Sequence, residues 1–126
     1  MSKTYRAAVI GCGGISALHA RQYHEFEDVE LIACADIDQD AMDRYEERYG
    51  VKNHYLDYEE MLAKEKPDLV SICTWIPLHP VISIAAAKAG VKGIICEKPM
   101  ATSMNVANEM VDVCDANGAK LAIGHQ

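Results

Sequence analysis

Three short stretches of this chain hold residue types at spacings that do chemistry: Gly11-Cys12-Gly13-Gly14-Ile15-Ser16, Ala35-Asp36-Ile37 and Glu97-Lys98-Pro99. The first follows the apolar run Ala7-Ala8-Val9-Ile10, and its glycines take the first two positions of G-x-G-x-x-G/A, with Ser16 at the third. Gly11 lets the chain turn sharply off a strand, where a Cβ would clash. Gly13 admits a pyrophosphate close to the backbone, and the small Ser16 lets a helix pack on the strand. A helix starting near Gly14 points its free N–H groups and positive dipole end at the phosphates. Asp36 closes a second apolar run 20 positions after Ser16, the spacing of an acid that accepts from adenosine ribose hydroxyls. Together these features describe a dinucleotide site. Asp36 has a plainer reading as a helix N-cap, which is also the reading favoured for Asp38.

The acid selects the cofactor. A 2′-phosphate about 4 Å from the Asp36 carboxylate would be disfavoured by up to ~4 kcal/mol at surface-like dielectric. Ile37 stands where an arginine or small hydroxyl residue would favour NADP, so NAD is expected and NADP is disfavoured. The loop Thr74-Trp75-Ile76-Pro77-Leu78-His79 falls after an apolar strand, where ligands of an open parallel sheet bind. Trp75 and Ile76 would wall the adenosine or pyrophosphate, with core packing as the alternative for the single tryptophan. Glu97-Lys98 ends another buried strand on the same edge, where reactants meet; a solvated charged turn is the plainer alternative. His19 and His24 have no partner at metal-ligand spacing, and no metal site is expected.

With 126 residues, half of them hydrophobic, the chain is expected to form one domain, residues 1–126. The formal net charge of −7 argues against nucleic acid or an anionic membrane as partner. Five cysteines without C-x-x-C or metal spacing fit a reducing cytoplasm. Cys34, Cys73 and Cys96 lie in apolar runs and are expected in the core. Neither a signal peptide nor a transmembrane-length run is visible.

The elements must bring those three stretches to one edge. The pattern predicts strands at Tyr5–Ile10, Val29–Ala35, Asn53–Leu56, Leu69–Cys73, Gly93–Cys96 and Leu121–Ile123. Helices are expected over Ile15–Phe26, with Leu18, Gln22 and Phe26 inward, and over Asp38–Tyr49, capped by Gly50. The outer charges of that second helix read as a solvated face. Asp57 with Glu60 reads as a capping box for a short helix ended by Lys66-Pro67. A further helix starts at Pro77 and runs to Gly90, and another is capped by Thr102 or Ser103, with Val106, Met110, Val113 and Cys114 inward. This βαβ rhythm predicts a doubly wound parallel sheet of about six strands, three layers (αβα), in order 3-2-1-4-5-6: a Rossmann fold.

The chain resembles the N-terminal domain of the Gfo/Idh/MocA oxidoreductases, the glucose–fructose oxidoreductase and inositol dehydrogenase family. The resemblance rests on the glycine turn, Ala35-Asp36, Asp68-Leu69-Val70-Ser71-Ile72 leading to Pro77 and His79, and above all Glu97-Lys98-Pro99, the family's E-K-P signature. It implies that Gly11, Gly13, Gly14, Ile15 and Ser16 contact the pyrophosphate, and Asp36 and Ile37 the adenosine ribose. It further implies that Thr74, Trp75, Ile76 and His79 line the adenine and pyrophosphate side, and that Glu97 and Lys98 lie by the nicotinamide. Lys98 would be the catalytic residue, orienting or polarising a sugar hydroxyl. Trp75-Ile76 departs from the small residue or proline common in the family. The family acts on sugars, inositols and related polyols, with a C-terminal substrate domain that is absent from this chain.

Hydride transfer needs a held substrate and a group to take the hydroxyl proton. The expectation is therefore a domain that binds cofactor without turnover, with self-association through apolar surface near Pro99, Met100 and Ile123 giving a homo-oligomer. A stand-alone NAD(H)-binding redox sensor is the alternative from another class. A methyltransferase is disfavoured by the E-K-P turn.

Overall fold

The computed structural model describes residues 5–12, 21, 23, 28–74, 79–97 and 104–124. Among them the elements run β1 (Tyr5–Ile10), β2 (Val29–Ala35), α1 (Gln39–Tyr49), β3 (Asn53–Tyr55), α2 (Tyr58–Glu65), β4 (Leu69–Ile72), α3 (His79–Lys88), β5 (Gly93–Glu97), α4 (Met104–Ala116) and β6 (Lys120–Gly124). All strand pairs are parallel, in the order β3-β2-β1-β4-β5-β6. This is the expected Rossmann arrangement.

Its central strand explains the layers. Ala7, Ala8, Val9 and Ile10 are all buried, as a parallel strand covered on both faces requires. Alternation sends Ala7 and Val9 into one core with Tyr23 and with Met42 and Tyr45 of α1. Ala8 and Ile10 enter the other, against Met61 and Leu62 of α2, Ile82 and Ala86 of α3 and Cys114 of α4. The connection from β3 to β4 passes across the sheet, so the chain winds both ways from the fork between β1 and β4. Ligands of such sheets bind at the carboxyl edge of that fork.

Local chemistry sets the ends. Asp38 caps α1 by accepting from Asp40 N at 3.0 Å, and Gly50, at φ 72°, closes it with an N–H to Glu46 O at 2.9 Å. The outer face of α1 is not merely solvated: Glu46 Oε1 lies 3.2 Å and Asp43 Oδ1 3.8 Å from ring nitrogens of His54, tying α1 to β3. Asp57 caps α2 through Glu59 N at 2.9 Å. Glu60 pairs with Lys64 at 2.8 Å rather than completing a capping box, and α2 continues to Glu65 before Lys66 turns left-handed at φ 46°. β3 ends at Tyr55, one residue earlier than expected; Tyr55 O still accepts from Asp36 N, and Leu56 beyond it is exposed. β4 ends at Ile72, with Cys73 N still bonding Ile10 O at 2.8 Å. β5 runs one residue further than expected, to Glu97, and β6 is one residue longer at each end, Lys120–Gly124.

Of the helix expected over Ile15–Phe26, Arg21 and Tyr23 are helical. Tyr23 is buried and shares a 2.5 Å hydrogen bond with Ser71 Oγ of β4; it, too, is an inward-facing residue of that helix. In α4, Met110 and Cys114 are buried as expected, and Val113 is half-buried. No helix among the described residues is long and apolar enough to cross a membrane.

Candidate functional site

The turn after β1 is built against the end of β4. Gly11 has φ 92°, donates its N–H to Ala35 O at 2.8 Å, and lies so close to β4 that a Cβ would sit 2.7 Å from Cys73 O. The same Cβ would meet Thr74 Cγ2 at 3.0 Å. Conformation and space both demand glycine here. The concavity thus kept open is the start of a cavity at the fork.

Asp36 extends one residue past β2 beside that turn. Its Oδ2 accepts from Cys12 N at 2.7 Å and its Oδ1 from Asp38 N at 2.9 Å. Asp38 is therefore the helix cap and Asp36 is not. Each carboxylate oxygen can accept more than one hydrogen bond, so both retain capacity toward the cavity. Ile37 follows with 91% of its surface exposed.

One cavity of about 530 Å³ joins these groups, lined by Gly11, Asp36, Ile37 and Thr74 together with Ile10, Ala35, Leu56, Tyr58, Cys73 and Ile82. Its volume falls in the range of small-molecule and cofactor sites, which are apolar with a few placed polar groups. Four predicted site residues are thus brought together. Leu56, Tyr58, Cys73 and Ile82 were not expected there. Leu56 and Tyr58 flank the cap residue of α2; in sequence Leu56 reads as the end of the third strand and Tyr58 as part of the short helix after it. The available signal was topological: residues after β3 share the carboxyl edge with those after β2. Cys73, expected in the core, is only half-buried because it stands at the cavity wall.

His79 opens α3 and Glu97 closes β5, one register step beyond the pair Ile72↔Cys96. Both backbones belong to elements on the expected edge. Gly13, Gly14, Ile15, Ser16, Trp75, Ile76 and Lys98 lie outside the described residues, as do Pro77, Pro99, Met100, Thr102 and Ser103.

Two groups at the site, a thiol and a phenol, stay uncharged at neutral pH. The Cys12 thiol is pushed up by its hydrogen bond with Cys34, by burial and by the nearby Asp36 carboxylate, so it is not a thiolate nucleophile at neutral pH. Burial first, then the carboxylates of Glu59 and Asp57, raise Tyr58 and keep its phenol neutral. No cluster of three or more His, Cys, Asp or Glu able to hold a metal occurs among the described residues. The arrangement suits binding by backbone amides, one carboxylate and apolar walls.

Comparison with known proteins agrees with this geometry. The profile of the Gfo/Idh/MocA group, described as "Oxidoreductase family, NAD-binding Rossmann fold", matches residues 5–125. The chain is 33% identical to the D-apiose dehydrogenase of Paraburkholderia graminis, over 96% of this chain and 32% of that protein. Among solved structures, myo-inositol 2-dehydrogenase from Lactobacillus plantarum superposes with a TM-score of 0.89 at 31% identity, covering 97% of this chain and 36% of the other. The WlbA dehydrogenase from Bordetella pertussis, solved in complex with NADH and UDP-GlcNAcA, gives a TM-score of 0.90 at 30% identity over 97% of this chain and 37% of that one. The chain spans about a third of the length of the curated relatives it matches.

Proposed function

Because the chain belongs to the Gfo/Idh/MocA oxidoreductase family, in its NAD-binding Rossmann domain, we propose that it binds NAD(H) at the β1–β4 fork. We propose further that the whole protein transfers hydride to or from a hydroxyl-bearing carbon of a sugar, inositol or related polyol. The relatives named above support that substrate class. One observation carries the cofactor reading: Gly11, held open against Cys73, and Asp36, with acceptor capacity to spare, line the same cavity.

The residues fit the dinucleotide. Gly11, whose own N–H is spent on Ala35 O, leaves room for the pyrophosphate, and Gly13, Gly14, Ile15 and Ser16 are assigned to receive it on backbone N–H groups. Asp36 accepts from the adenosine ribose hydroxyls, while Ile37, Leu56 and Tyr58 cover the adenine with apolar surface. Thr74, Trp75, Ile76 and His79 complete the wall from the β4 side. When bound, the nicotinamide supplies or accepts the hydride. Glu97 and Lys98 are assigned to that end, with Lys98 to orient the reacting hydroxyl. The group that takes the hydroxyl proton and the contacts that select the substrate are not among the residues assigned above, and by itself this domain is read as binding cofactor without turnover. A cytoplasmic setting and a homo-oligomeric full-length enzyme complete the reading; the five cysteines, none of them in a disulfide, support the first.

Calorimetric titration with NADH and NADPH tests the proposal. NADH is expected to bind with a micromolar Kd, about −8 kcal/mol. NADPH should bind at least about tenfold more weakly, since its 2′-phosphate would face the Asp36 carboxylate. Equal affinities would refute the role of Asp36, and no binding of either would refute the cofactor reading.

A further inference from the structure

The acid at the end of β2 does more than face a ribose. Past the last rungs of β1, Gly11 N bonds Ala35 O and Cys73 N bonds Ile10 O, so strand-type pairing holds the turn up to Gly11. The next amide, Cys12 N, has left the strand. Its partner is the Asp36 carboxylate, at 2.7 Å. Cys12 is only 6% exposed, which leaves little water to replace that acceptor. The carboxylate is itself held by Asp38 N on its other oxygen, at 2.9 Å. A charge-assisted bond thus fixes the first free amide of the glycine turn, and a second fixes the orientation of the acid.

We infer that Asp36 is a positioning residue for the phosphate-binding turn, acting through Cys12 N–H, in addition to any contact with the adenosine ribose. The inference rests on the cofactor reading above for its consequence, but the brace itself exists in the ligand-free protein. Losing Asp36 then loosens the turn that receives the pyrophosphate. Affinity falls for dinucleotides even when the ribose offers nothing for an acid to bind. A serine at this position is too short to span the gap to Cys12, and an asparagine retains one acceptor and turns an NH2 toward the other donor.

Two measurements separate the brace from the ribose contact, using Asp36→Ala and Asp36→Asn. The first is the ¹H–¹⁵N spectrum of the ligand-free chain. The Cys12 amide proton, bonded to a carboxylate, should resonate downfield, move upfield in D36A and exchange faster with solvent. An amide unmoved by both substitutions overturns the inference. The second compares affinities for NADH and for an analogue lacking both adenosine ribose hydroxyls. With a brace, D36A binds the analogue about fivefold or more weakly than the unsubstituted chain, and D36N falls between. If the variants bind the analogue as well as the parent does, Asp36 acts through the ribose alone and the inference fails. Should the parent not bind NADH at all, the cofactor reading falls while the amide resonance still decides the brace. D36N serves both measurements if D36A does not fold.

Discussion

Replacing Gly11 by alanine should damage this domain more than a glycine substitution of similar backbone geometry elsewhere. Gly11 and Gly50 both have positive φ, 92° and 72°. An alanine pays the left-handed strain at either site, about 1–2 kcal/mol, partly offset by about 0.4–1 kcal/mol from the reduced freedom of the unfolded chain. At Gly50 nothing lies within 4 Å of an added Cβ, so the net loss should be about 1 kcal/mol. At Gly11 the new Cβ lands 2.7 Å from Cys73 O and 2.8 Å from Cys73 C. Both are backbone atoms of the chain leaving β4, pinned by the bond from Cys73 N to Ile10 O. No rotamer can relieve the overlap, and overpacking of this kind costs about 1–3 kcal/mol more. Gly11→Ala should therefore lose about 3 kcal/mol in all, near 10 °C in Tm for a domain of this size, against about 3 °C for Gly50→Ala. Thermal unfolding followed by circular dichroism reads both values. Binding provides the second readout: Gly11→Ala should weaken NADH at least about tenfold, roughly 1.4 kcal/mol, and Gly50→Ala should leave it unchanged. Equal Tm losses for the two variants would refute the close approach to Cys73 as the reason for glycine.

Two further outcomes follow from buried and half-buried hydroxyls. Tyr23→Phe removes the 2.5 Å bond to Ser71 Oγ inside the core and should lower stability by about 1 kcal/mol, measured as a reduced urea midpoint at unchanged slope. Tyr55 donates to Glu65 Oε2 at 2.5 Å, and that bond, with burial and the charges of Glu65 and Glu60, pushes its phenol up to about 12. Its ordinary value is about 10. The folded value lies above the unfolded one, so this contribution is complete below about pH 10 and is lost as pH rises through 12. Urea midpoints at pH 9 and pH 11.5 should therefore fall further for the parent than for Tyr55→Phe; parallel falls would show that the Tyr55–Glu65 bond contributes nothing.

The sheet was legible in the sequence because its signals are local. The apolar runs ended by Ile10, Ala35 and Ile72 announce buried parallel strands, and residues with special backbone roles mark the boundaries: Asp38 and Asp57 as caps, Gly50 as the left-handed stop. The motif spacing likewise placed Gly11 and Asp36 on one edge, since a βαβ unit has only one way to bring a strand end and the next strand's end together. Tertiary structure decided what those residues touch. No pattern states that Gly11 must be glycine because Cys73 O stands 2.7 Å from a would-be Cβ, since that distance depends on β4, some sixty residues later. The same holds for Leu56, which reads as a strand end, and Tyr58, which reads as part of a short helix; both become cavity walls because β3 lies beside β2. His54 ties the still-exposed Asp43 and Glu46 of α1 to β3 for the same reason. Sequence carries the periodicity of each element and the backbone demands of its ends. Contacts between elements far apart in the chain arise only when packing closes the loops between them, and there Asp36 acquires its second partner, Cys12 N.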